Sequence, residues 1–125
     1  MKAATGQTGQ VTEAAACRYL QNAGLKLLEK NYRCRLGEID LIMLDNADLV
    51  FIEVRFRRHS GFGSGAESVT VAKQQKIIHT AQHFLASHQS EAAKACRFDV
   101  ISVTSQNQNY QFNWIKNAFQ LNHGY

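Results

Sequence analysis

Apolar residues recur at helical spacing between residues 8 and 23. Ala16, Leu20 and Ala23 form one stripe, with Val11, Ala15 and Tyr19 beside it. Gly24 follows, a residue suited to ending a helix. From 25 to 35 the pattern reads as extended chain, and Gly37 interrupts it. Residues 38–44 and 49–57 read as two strands joined by the turn Asp45-Asn46-Ala47-Asp48. In the second of these, Ile52, Val54 and Phe56 fall on one face, and Phe51, Glu53, Arg55 and Arg57 on the other. A Gly- and Ser-rich loop over 58–68 leads to a second helix over 70–88. Its apolar stripe is Ile77, Ile78, Ala81, Phe84 and Leu85, with Gln75, Lys76, His79 and His83 on the far side. Two further strands are predicted over 97–104 and 110–116. The order helix, three strands, helix, two strands predicts an α/β fold, a mixed central sheet flanked by helices.

Composition narrows the class without naming a function. The chain has 125 residues, 45% of them apolar, which suits one domain over 1–125 with one core. It contains no proline, and no repeat marks a second domain. No apolar run approaches the roughly 20 residues of a membrane span. Residues 1–10 lack the apolar core of a signal peptide, so a cytoplasmic protein with no membrane partner is expected. Cys17, Cys34 and Cys96 are odd in number and far apart, which argues against a zinc knuckle or a redox pair. The net charge of +4 is mild, but its distribution is uneven. Arg55, Arg57 and Arg58 follow one another closely, Arg33 and Arg35 precede them, and Lys73 and Lys76 lie on the second helix. Phosphate binding needs such clustering, and a solvated basic surface has the same look.

The hairpin is more informative. If its turn is symmetric between Asn46 and Ala47, Asp40 lies opposite Glu53 and Glu38 opposite Arg55. Cross-strand Cβ atoms sit about 4.5–5.5 Å apart, and like charges so placed weaken a sheet. A divalent cation, a bound proton or the neighbouring arginines can compensate. An ordinary polar sheet face with salt bridges is the alternative, and Glu38 with Arg55 fits it. Glu13 adds a third acid. It borders the apolar stripe of the first helix, with Ala16, Cys17 and Leu20 at i+3, i+4 and i+7. It can reach the same site, or snorkel to solvent while favouring the helix N-terminus.

The run Gly37-Glu38-Ile39-Asp40-Leu41-Ile42, followed by Phe51-Ile52-Glu53-Val54-Arg55, closely resembles the bacterial YraN-like proteins. That family is similar to the PD-(D/E)XK nucleases and to archaeal Holliday junction resolvases. The likeness covers nearly the whole chain. It includes Gly9, Glu13, Ala16 and Leu20, the stretch from Val69 to Leu85, Arg97-Phe98-Asp99-Val100, and Trp114-Ile115-Lys116. The resemblance implies a restriction-endonuclease-like core and a site for metal-dependent phosphodiester cleavage. Asp40 and Glu53 would bind Mg²⁺ or Mn²⁺, with Glu13 as the helix acid. Arg55 stands where the motif has lysine. Arginine supplies positive charge but does not give up a proton at working pH, and its planar fork differs in shape. Resolvase-like relatives pair two sites across a dimer, so a homodimer is one option the resemblance opens, with no interface legible in the sequence.

Other signals are weaker. His79 and His83 at i, i+4 lack a third ligand, and solvated histidines explain them. The glycines of 61–65 are not followed by Lys-Ser or Lys-Thr, so they do not make a P-loop; the loop can touch a nucleic-acid backbone. Tyr110, Phe112 and Trp114 can stack bases, but core packing is the better explanation of them. Asp99 can serve as an auxiliary acid near the site, and a salt bridge to Arg97 or a place at the sheet edge explains it more simply. Two functions follow. One is a Mg²⁺-dependent endonuclease for DNA, branched or otherwise structured, with Arg57, Arg58, Lys73 and Lys76 holding flanking phosphates. The other keeps the fold as a catalytically weak module that binds nucleic acid or docks a protein.

Overall fold

The computed structural model describes residues 2–57 and 69–120, with the side chains of the first helix described from Gly9 onward. Helix α1 (Lys2–Asn22) is followed by strands β1 (Lys26–Cys34), β2 (Gly37–Asp45) and β3 (Asp48–Arg57). Helix α2 (Val71–Ser87), a 3₁₀ turn (Gln89–Glu91) and strands β4 (Cys96–Gln106) and β5 (Asn109–Phe119) complete the order. The predicted sequence of elements is therefore the observed one. The largest boundary difference is at α1, which begins at Lys2 rather than residue 8. Residues 1–10 are polar and Gly-rich, so no apolar period marks an earlier start. Once nucleated, however, a helix extends at small cost per residue.

The strands form one sheet in sequence order, β1-β2-β3-β4-β5. Every pair is antiparallel except β3 with β4. That parallel pair needs a crossover, and α2 provides it. The two helices pack on opposite faces. On the α2 face, Ile39, Ile42, Leu49, Phe51, Phe98 and Val100 meet Ile77, Ile78, Ala81 and Phe84. On the α1 face, Leu41, Met43, Val50, Ile52, Ile101 and Val103 meet Ala16, Cys17 and Leu20. A mixed sheet clothed by one helix on each face is compatible with a restriction-endonuclease-like core. No helix among the described residues is long and apolar enough to cross a membrane.

Three local devices fix how the elements meet. Gly24, at φ +108°, closes α1 in a Schellman arrangement. Leu25 N–H returns to Leu20 O at 3.0 Å and Gly24 N–H to Gln21 O at 2.9 Å. Thr70 caps α2: its hydroxyl accepts from Lys73 N–H at 3.1 Å, which fixes the backbone of the first turn. Gly37 lets β2 start hard against α2. A Cβ there would stand 2.8 Å from Thr80 Oγ1, closer than real side chains come.

The hairpin register is the predicted one. Leu41 pairs with Ile52 and Asp45 with Asp48, around a turn in which Asn46 takes φ +57°. Asn tolerates that left-handed conformation better than most residues.

Candidate functional site

The β2–β3 ladder ends at Leu41–Ile52, one step short of Asp40 and Glu53. Beyond that point β3 continues beside β4 as far as Arg57 with Thr104, while β2 stays on β1 as far as Gly37 with Cys34. The two central strands therefore part company. Side-chain alternation in β2 also breaks there: Ile39 and Ile42 belong to the α2-side core, and Leu41 to the α1-side core. Asp40 sits at that break. Its Oδ2 accepts the backbone N–H of Val54 at 2.8 Å, so a side chain takes the donor that a continuing ladder would use.

Three acids meet in this opening. Asp40 is held between the strands, Glu53 lies on the α2 face, and Glu13 arrives from α1. The Asp40 carboxyl is pushed up to about 8 from an ordinary value of 3.8. Burial is the main cause, followed by the charge of Glu53. The Val54 N–H works the other way, and the charge of Glu13 and a side-chain hydrogen bond with it raise the value further. Asp40 thus holds a proton in neutral solution unless positive charge comes close.

Glu53 is buried at 6% exposure, yet it has cations beside it. Lys73 Nζ lies 3.2 Å from Glu53 Oε2, and Arg55 NH1 lies 3.7 Å from the same oxygen. Lys73, expected to hold a flanking phosphate, lies in this structure against Glu53. Ser102 is the register partner of Arg55 on β4. It is buried, and its hydroxyl has no hydrogen-bond partner. Lys76 is exposed one turn further along α2, and Arg57 is half-buried at the end of β3. Arg58 and the Gly-rich loop lie outside the described residues. The expected pair of Glu38 with Arg55 is not formed. Because the ladder stops at Leu41, Glu38 turns to β1 and meets Arg33 at 3.5 Å.

The donor set suits a hard cation, since carboxylate oxygens are what Mg²⁺ takes. Among the described residues, no three His, Cys, Asp or Glu side chains are gathered so as to hold an ion by themselves. Mg²⁺ usually keeps several waters and takes only one or two carboxylates. Asp40 and Glu53, with Glu13 behind Asp40, fit that sparser demand. The histidine pair does not form a clamp: His83 Nδ1 shares a hydrogen bond with Tyr32 OH at 2.6 Å. Phe112 and Trp114 pack on the α1-side core.

Sequence reasoning recovered only part of a second polar cluster at the opposite end of the sheet. Arg97 meets Asp99, as expected, with Nε 3.0 Å from Oδ1, but it also meets Asp45 at 2.8 Å and Asp48 at 3.7 Å. Asp99 is fully buried and accepts Trp114 Nε1–H and Asn117 N–H, both at 2.9 Å. The acids flanking the hairpin turn were the available clue. Their partner stands 52 residues after Asp45, which spacing does not reveal.

Relatives share this chain almost end to end. A protein of Stutzerimonas stutzeri named "UPF0102 protein" is 50% identical over 113 residues, spanning 90% of this chain and 94% of the relative. One from Nitrosococcus oceani with the same name is 48% identical over 122 residues, 97% of this chain and 98% of its own. One from Saccharophagus degradans is 50% identical over 116 residues, 93% and 95% respectively. These names agree with the YraN-like resemblance and say nothing of nuclease activity. The model of the uncharacterised protein family UPF0102 matches residues 12–103, from the turn of α1 that carries Glu13 to the middle of β4, and the chain belongs to that family.

Proposed function

We propose that this protein is a divalent-metal-dependent endonuclease acting on DNA, with branched or otherwise structured DNA among its substrates. One observation carries the reading. Asp40 is kept beside Glu53 and Glu13, with no salt bridge to it among the described residues, at the point where the central strands separate. A structural acid would be paired or replaced; an acid left short of positive charge suits a site that receives it from outside.

In phosphodiester hydrolysis a water oxygen bonds to phosphorus, the bond to one sugar oxygen breaks, and that oxygen leaves with a proton. Mg²⁺ or Mn²⁺ held between Asp40 and Glu53 would supply Lewis-acid charge for the phosphate and the attacking water. The protein's own groups do the rest. Val54 N–H fixes the direction of the Asp40 carboxylate. Glu13, hydrogen-bonded to Asp40, favours the protonated form of that carboxyl. Arg55, held at Glu53, offers a fixed positive charge to the phosphate. Lys76, Arg57 and Arg58 are suited to flanking phosphates, which fix position without reading bases.

Arg55 also favours a second reading, a catalytically weak module that binds nucleic acid or docks a protein. An arginine at this position cannot move a proton as lysine can. The deciding experiment incubates the protein with linear, single-stranded and four-way-junction DNA, in Mn²⁺ and in chelator. The enzyme reading expects Mn²⁺-dependent strand cleavage that Asp40→Asn and Glu53→Gln abolish while DNA binding persists. Salt-sensitive binding with no cleavage of any substrate supports the binding module. Absence of affinity for any nucleic acid at low salt overturns both nucleic-acid readings and leaves protein docking.

A further inference from the structure

Lys73 occupies an unusual position among the cations. It is on α2, not on the strand that carries Glu53, yet its ammonium is the nearest positive charge to Glu53, at 3.2 Å. Its backbone is fixed by the Thr70 cap, whereas its side chain is 45% exposed and free to swing on its four-carbon stem. Both contacting cations sit on one oxygen of Glu53, and among the described residues no salt bridge reaches Asp40. The two acids are therefore unevenly served: Glu53 has cations beside it, while Asp40 has the Val54 N–H.

A divalent cation shared by Asp40 and Glu53 would join the carboxylate whose Oε2 Lys73 holds. An ammonium and a dication on one carboxylate repel strongly, and the exposed side chain is the one that can leave. Once displaced, Lys73 still stands at the mouth of the site, next to Arg55, where an anionic ligand would enter. We propose that Lys73 is an internal stand-in for the divalent cation, holding Glu53 in the metal-free protein and passing to a DNA phosphate oxygen when the cation binds. This rests on the metal-site reading above and adds to it a defined exchange of partners. It also moves Lys73 from a flanking phosphate to the phosphate at the acids.

The test titrates Mn²⁺ into the whole protein by calorimetry, without DNA. Lys73→Met keeps the length of the side chain and removes its charge. It is expected to bind Mn²⁺ roughly threefold to fivefold more tightly than the wild type, the scale of a half-exposed ion pair. Lys73→Arg restores a competing charge and should return towards wild-type affinity. Lys94→Met removes the same unit of charge at a lysine paired with Glu91, away from the acids, and should change little. Unaltered thermal midpoints confirm that the variants fold. In parallel, Mn²⁺-dependent DNA cleavage is expected to fall in Lys73→Met although its metal affinity rises. Unchanged Mn²⁺ affinity in Lys73→Met, with cleavage by the wild type intact, overturns the exchange and leaves the nuclease reading standing. Equal tightening in Lys94→Met overturns it too, because net charge alone would then suffice. Tighter Mn²⁺ binding in Lys73→Met with no cleavage of any DNA by the wild type supports the exchange and counts against the nuclease. No Mn²⁺ binding by the wild type overturns the exchange together with the metal site.

Discussion

Two clusters of three carboxylates stand at opposite ends of the central hairpin, and they are built differently. At the turn, Asp45, Asp48 and Asp99 surround Arg97, which contacts all three. Burial works against the charge of Arg97, but hydrogen bonds and attraction from Asp99 and Asp45 outweigh it and raise its pKa. Each Asp99 oxygen has donors. At the open end, where Glu13, Asp40 and Glu53 meet, the ion pairs among the described residues are those of Lys73 and Arg55 with Glu53. The first cluster is complete within the chain; the second becomes complete only with a proton or a ligand. A count of acids would rate them alike. What separates them is where the positive charge sits.

The sharpest way to break this contrast is a pair of isosteric changes. Asp99→Asn removes the buried charge that Arg97, Trp114 and Asn117 all serve. It is expected to cost about 2–4 kcal/mol in denaturant unfolding, as for other disrupted buried ion pairs. Asp40→Asn, measured at pH 8 without metal, should act in the opposite sense. It relieves repulsion and should raise the thermal midpoint by roughly 3–6 °C. It should also remove any stabilisation by Mg²⁺. Destabilisation by both changes to a similar extent would erase the distinction.

A pH series sharpens the same point. Because the Asp40 pKa is raised in the fold, folded protein binds the proton more tightly than unfolded chain does. Its stabilising contribution is therefore full below about 3.8 and is lost as pH rises through about 8. Metal-free stability from this group should decline across that window. Asp40→Asn should flatten the decline, and saturating Mg²⁺ should oppose it. A parallel pH profile for wild type and Asp40→Asn would show that Asp40 is not the titrating group.

The smallest effect concerns Ser102. Its hydroxyl is buried beside Arg55 without a partner, so Ser102→Ala should be neutral or stabilising, within about 1 kcal/mol. A loss above about 2 kcal/mol would reveal an interaction of that hydroxyl and make the open end more self-sufficient than it looks.

Much of this was legible in the sequence because it follows from local rules. The turn at Asp45–Asp48 set the register, and the 3.6-residue period gave α2 its buried stripe. Helical spacing put Glu13 at the edge of the core. The end of the ladder was not legible, because strand separation depends on which neighbour each strand keeps, β1 for β2 and β4 for β3. That separation is what leaves Glu38 to Arg33. Lys73 at Glu53 likewise required the packing of α2 on the sheet, which Gly37 admits by its lack of a side chain. Arg97 shows the same limit: its tie to Asp99 is local, while its tie to Asp45 spans the β2–β3 turn and the α2 crossover.

The Val54 amide gives the open end a built-in reporter. Its hydrogen bond runs to a carboxylate rather than to a peptide carbonyl, so its NMR chemical shift should follow the charge on Asp40 directly. A single ¹⁵N-labelled amide could then show protonation, metal arrival and their order during a titration, with no probe attached. Its solvent-exchange rate should slow when the carboxylate ionises and grips the donor more firmly.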